Sequence, residues 1–91
     1  MTRRYRRHPE LRLTALEGEG VVLHLGTRRY YTVSASGLDL LEALESPRTL
    51  DELVVVLTTK YAVTPEAAGD SAREFVDHGV KSGVLLVEEL P

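Results

Sequence analysis

"VVLHLGTRRYYTVSASGLDLLEAL", residues 21–44, changes its hydrophobic period midway, and that change sets the fold class. Up to Val33 the chain alternates. "VVLHL" places Val21, Leu23 and Leu25 on one face with Val22 and His24 on the other, and "RRYYTV" sets Arg29, Tyr31 and Val33 against Arg28, Tyr30 and Thr32. A period of two marks half-buried strands. From Ser36 onward the period lengthens: Leu38, Leu40, Leu41 and Leu44 form a helical stripe that ends before Ser46-Pro47. Ser36, with Asp39 three residues on, resembles a capping box in which Asp takes the usual Glu place.

Working outward, Leu11 to Ala15 alternates in the same way, and "LEGEG" supplies a turn through Gly18 and Gly20. Three strands joined by short glycine-containing loops make an antiparallel meander. Beyond Pro47, Thr49 and Glu52 form the regular Thr-x-x-Glu box, and Leu50, Leu53, Val54, Leu57 and Tyr61 recur at helical spacing. Thr64 caps a third helix with Pro65 in its first position; Ala68, Ala72, Phe75, Val76 and Val80 form its apolar face, and Gly83 stops it. The closing "VLLVEE" is either a strand or an extended tail. The expected fold is α+β and winged helix-turn-helix-like: a three-stranded antiparallel sheet followed by three helices.

Ninety-one residues, 43% hydrophobic and 27% charged, suit one folded domain. With no cysteine, disulfides, thiolate metal sites and cysteine nucleophiles are excluded, and the expected compartment is the reducing cytoplasm. No apolar run reaches the ~20 residues of a membrane span, and the arginine-rich start lacks the apolar core of a signal peptide. The net charge of -3 is unevenly distributed. Residues 1–30 carry seven arginines against three glutamates, and residues 31–91 carry four basic against eleven acidic residues. Residues 1–8, with Arg3, Arg4, Arg6 and Arg7, read as a basic, solvated arm and residues 9–91 as the domain.

Chemistry is sparse. His8, His24 and His78 have no second histidine or carboxylate at ligand spacing, so all three read as solvated, and neither a metal nor any other cofactor is expected. Ser34 and Ser36 lie at a strand-to-helix junction, but "VSASG" is not Gly-x-Ser-x-Gly, and capping accounts for them. "GEG" is neither a dinucleotide-binding nor a phosphate-binding loop. No catalytic constellation emerges, and no enzyme is expected. A winged helix would allow DNA binding as the alternative function. Its third helix, however, holds Glu66, Asp70, Glu74 and Asp77 against Arg73 and Lys81, and repels phosphates. The edge of the meander remains. Arg28 and Arg29 either protect it from aggregation, or the strand Tyr30, Tyr31, Thr32, Val33 forms with a helix a groove in which a peptide pairs as an added strand.

The order of these elements resembles the PqqD-like domains, the recognition elements for precursors of ribosomally made, modified peptides. The resemblance spans residues 8 to 89. It rests on Pro9 before the first strand, Tyr31-Thr32-Val33-Ser34 ending the third, Ser36-Gly37 opening a helix, "RTLDEL" at 48–53 and Gly83-Val84-Leu85 at the close. Val33 and Ser34 depart from the family's Leu-Asn. The resemblance implies that residues 9–91 are a single peptide-binding domain: a non-catalytic adaptor that binds the leader segment of a precursor peptide and presents it to a leader peptidase or other modifying enzyme. Stand-alone members include partners of lasso-peptide leader peptidases and the chaperone-like member of pyrroloquinoline quinone biosynthesis; a lasso-type pathway is expected. Neither nucleic acid nor membrane is an expected partner, and the chain is a monomer or a dimer. Carried over, the leader backbone pairs with Arg28, Arg29, Tyr30, Tyr31, Thr32 and Val33, and its side chains enter a groove against Ala72, Val76, Gly79 and Val80. At Gly79 the family commonly has Leu, so the glycine is expected either to leave room for a large leader side chain or to be a neutral loss.

Overall fold

The computed structural model describes residues 2–90. Five strands and three helices follow in the order β1 (Thr2–Arg7), β2 (Leu11–Leu16), β3 (Glu19–His24), β4 (Arg29–Ser34), α1 (Ala35–Ala43), α2 (Leu50–Lys60), α3 (Pro65–Lys81) and β5 (Leu85–Leu90). The expected meander is present: β2, β3 and β4 form an antiparallel sheet in that order, in the register Leu13↔Val22↔Tyr31. Its inner face carries Leu11 and Val22 into the core, where they join Leu41 of α1, Leu44 at its C-cap, Leu53 of α2 and Ala72 and Val76 of α3, and Gly20 lies buried against Leu38. Among the described residues no helix is long and apolar enough to cross a membrane.

Residues 2–7 depart from the reading of a solvated arm. They form β1, which pairs antiparallel with β5 from Thr2↔Leu90 to Arg7↔Leu85. The pairing spans the whole chain, so no local pattern announces it. The arginines are counter-charged across the ribbon: Arg3 meets Glu89 and Arg6 meets Glu88, each at 2.7 Å. Exposed pairs of this kind add little energy, but they select the register. The other edge of β1 is closed by the α1–α2 connection. The Tyr5 and Arg48 main chains exchange two hydrogen bonds of 2.8 Å, and the Arg7 N–H donates to the Leu44 carbonyl. The basic charge is thus built into a ribbon that fastens residues 2–7 and 85–90 to each other.

The helix caps follow the sequence at two of three sites. Thr49 and Glu52 form the reciprocal capping box, whose backbone N–H of Thr49 holds the Glu52 carboxylate below its usual range. Thr64 accepts from the Ala67 N–H, with Pro65 in the first turn. The first cap lies two residues earlier than expected: Ser34, in extended conformation, accepts from the Gly37 N–H, and α1 begins at Ala35. Ser36 is inside the helix and bonds to Ser34 through the hydroxyls at 3.1 Å. Asp39, freed from capping, instead joins α1 to the end of α2. It accepts from Tyr61 Oη at 2.5 Å and from Lys60 Nζ at 2.7 Å. Those donors depress the Asp39 carboxyl below its ordinary range, Lys60 first and Tyr61 second.

Candidate functional site

The site is built where β4 leaves the sheet. Among the described residues β4 pairs only with β3, so its outer edge carries unpaired main-chain groups. The strand is delivered by a tight β3–β4 loop. Arg28 ends that loop in the left-handed region (φ 59°), with its N–H on the His24 carbonyl at 2.8 Å. Arg28 therefore belongs to the turn and not to the pairing strand, which starts at Arg29. His24 holds the loop from below. It is buried, not solvated, and its Nδ1 accepts the N–H groups of Gly26 at 3.1 Å and Thr27 at 3.3 Å. The ring thus serves as a structural acceptor that ties the loop to β3. The His8 ring lies tilted against it at 43°, with centroids 4.5 Å apart and its own Nδ1 accepting from the Glu10 N–H. The alternation of β3 sets Val21, Leu23 and Leu25 against Val22 and His24. In the structure the inward face is Gly20, Val22 and His24, because α1 covers that side.

Along the edge, Tyr31 and Val33 point inward and are half-buried, Thr32 points outward, and Tyr30 stands 74% exposed on the outer face. Between β4 and the C-terminal half of α3 lies a cleft of about 320 Å³. Its walls are Tyr31, Thr32 and Val33 on one side and Phe75, His78, Gly79 and Ser82 on the other, with Val22, Leu41 and Val84 beneath. Tyr31 Oη reaches across it towards the Ser82 carbonyl at 3.5 Å. An apolar cleft beside an unpaired strand edge can take an extended chain, with main-chain pairing on one side and side-chain contacts on the other.

The structure redistributes the helix residues expected at this groove. Ala72 and Val76 are fully buried one layer below, in the core, and Val80 is exposed away from the cleft wall. The residues that do face the cleft, Phe75, His78 and Ser82, lie at i, i+3 and i+7; the apolar pattern of α3 marked the core face and hid the neighbouring groove face. Gly79 borders the cleft, but a side chain there would point elsewhere. A Cβ on Gly79 would lie 2.6 Å from Cγ and Cδ1 of Leu85. The space beside this glycine is already filled by β5, so its role is the close approach of α3 to that strand, and it leaves no room for a leader side chain. Among the described residues no group of three or more His, Cys, Asp or Glu side chains could hold a metal ion.

Comparisons with known proteins bear on this arrangement. The sequence profile of the family described as coenzyme PQQ synthesis protein D (PqqD) matches residues 19–85. No curated protein matches the chain. Two solved structures share its fold. TbiB1 in complex with the TbiA(beta) leader peptide superposes with a TM-score of 0.76 at 22% identity, covering 88% of this chain and 93% of its own. Lasso peptide synthetase B1 complexed with the leader peptide gives 0.74 at 18% identity, covering 90% and 96%.

Proposed function

Because the chain belongs to the PqqD family, we propose that it is a non-catalytic adaptor that binds the leader segment of a ribosomally made precursor peptide and hands it to a leader-cleaving or modifying enzyme. The observation that carries this reading is the open edge of β4 beside the apolar cleft under α3. The leader pairs as the next strand along Arg29–Ser34, where alternate residues turn N–H and C=O outward. Each such hydrogen bond contributes only about 0.5–1.5 kcal/mol net, whereas a buried leucine or phenylalanine contributes about 1.5–3 kcal/mol. Affinity and selection therefore come from the side chains received between Tyr31, Val33, Phe75 and His78, and the backbone fixes the register.

On this reading the role of the protein is presentation of the peptide, not chemistry on it. The binding domain includes β1, which pairs with the whole of β5. It works in the cytoplasm, where the precursor leaves the ribosome, alongside an enzyme of a lasso-type or related pathway. The leader complexes of the two structural neighbours support the choice of ligand. A titration with a synthetic leader peptide, and with a DNA duplex, at two salt concentrations tests the reading. Micromolar or tighter leader binding with little salt dependence is expected; salt-sensitive binding of the duplex alone would support the winged-helix alternative.

A further inference from the structure

The chain has eleven lysines and arginines, and the fold engages most of them internally. Arg3, Arg6, Arg48, Lys60 and Arg73 form ion pairs, Arg7 and Arg12 donate to main-chain carbonyls, and Arg4 is half-buried in β1. Among the described residues that leaves Arg28, Arg29 and Lys81, whose head groups have neither an ion pair nor a hydrogen bond. All three are exposed, and all three stand at one end of the cleft.

Arg29 shares the inward face of β4 with Tyr31 and Val33, two residues or about 7 Å beyond Tyr31. Tyr31 Oη in turn meets the carbonyl of Ser82, and Lys81, next to Ser82, is the last residue of α3. Strand and helix thus bring Arg29 and Lys81 to the same mouth from opposite walls. Arg28 joins them from the turn. Its left-handed backbone suits glycine or asparagine, yet an arginine holds the position. Nothing neutralises the mouth from within: Lys81 forms no ion pair with Asp77 one turn before it, and Glu10 turns its carboxylate to Gly26 without pairing with either arginine. The opposite end of the groove has the other sign. There Glu74, exposed and without an ion pair, borders a cavity of about 350 Å³ together with Ser34 and Ser36.

Resting on the leader-binding reading, we infer that Arg29 and Lys81, with Arg28 beside them, select leaders that carry a carboxylate at the turn end of the paired segment, and that Glu74 disfavours one at the Ser34 end. An added strand sets opposite residues on the same face, so the leader side chain across from Arg29 points to the basic mouth. It lies two residues from the leader side chain across from Tyr31, which enters the cleft. Edge protection accounts for an arginine on β4 and the helix dipole for a lysine at the end of α3, each taken alone. A carboxylate at that leader position meets them together. Exposed pairs of this kind change affinity by about two- to fivefold, so the charges choose among leaders while the apolar contacts retain most of the binding. One such contact keeps the salt dependence far below that of a duplex held through several phosphates.

The test uses a synthetic leader peptide whose paired segment is mapped by amide exchange, with glutamate, and glutamine as the reference, placed in turn at each end of that segment. Each peptide is titrated against the wild-type protein, Arg29→Gln, Lys81→Gln, the double variant and Glu74→Gln. All three residues are exposed, so none of these changes enters the core. At one end glutamate should bind about two- to fivefold tighter than glutamine, with the gain shrinking in high salt and vanishing in the double variant, which binds the glutamine peptide like wild type. At the other end glutamate should bind more weakly than glutamine, and Glu74→Gln should remove that penalty. Equal affinity for glutamate and glutamine at both ends, or a gain that survives in the double variant, overturns the inference; protection of β4 by the glutamine peptide then leaves the leader-binding reading standing. Absence of any β4 protection overturns both.

Discussion

Replacing Gly79 by alanine separates two accounts of this helix. On an unobstructed helix face the change would stabilise the protein, since glycine in a helix interior is worse than alanine by about 1 kcal/mol. The structure opposes that gain. The new Cβ would stand 2.6 Å from both Cγ and Cδ1 of Leu85, which is itself 2% exposed. Overpacking of a filled core costs about 1–3 kcal/mol. The net expectation is destabilisation by up to about 2 kcal/mol, which lowers the melting temperature of a domain this size by about 4–8 °C per kcal/mol. Thermal and denaturant unfolding of Gly79→Ala measure it. The partner variant Leu85→Ala should lose about 2–5 kcal/mol alone, and the double variant should be more stable than the sum of the two changes by about 1 kcal/mol or more. A stabilised Gly79→Ala, or strict additivity with Leu85→Ala, would refute the close-approach account.

Other outcomes follow from the same contacts. Asp39→Asn should cost about 1 kcal/mol at neutral pH by removing the charged acceptor of Lys60 and Tyr61. Because the folded Asp39 pKa is depressed, its contribution is present above the unfolded value of about 3.9 and is lost as the pH falls through the folded one; the gap between wild type and Asp39→Asn should therefore close in acid, as read by unfolding across pH. His24→Phe should cost about 1 kcal/mol by stranding the Gly26 and Thr27 N–H groups, with amide chemical shifts changing most in the β3–β4 loop. Phe75→Ala should weaken leader binding by about tenfold or more, seen by titration, with the protein still folded.

What the sequence discloses, and what it conceals, can be read from individual residues. Thr49 with Glu52 and Thr64 with Pro65 are local signals, and both caps form where the spacing put them. The meander is legible because Leu11, Leu13, Tyr31 and Val33 alternate within each strand. The β1–β5 ribbon is not, since its arginines look solvated until Glu88 and Glu89 are brought opposite them from the far end of the chain. His24 misleads for the same reason: its burial depends on two loop N–H groups whose position only the folded turn defines. At the cleft, the strand side was readable from Tyr31 to Val33. The helix side was displaced by one face, because the strongest apolar residues of α3, Ala72 and Val76, serve the core, and the groove uses Phe75, His78 and Ser82.

The central claim is that the leader becomes the strand next to β4, and amide hydrogen exchange of the protein with and without the synthetic leader tests it most directly. Strand addition should slow exchange at alternate amides of Arg29–Ser34, and only alternate ones, because the others already bond to β3. Unchanged exchange along β4 on saturation with leader, or protection confined to β2 or β5, would contradict the account.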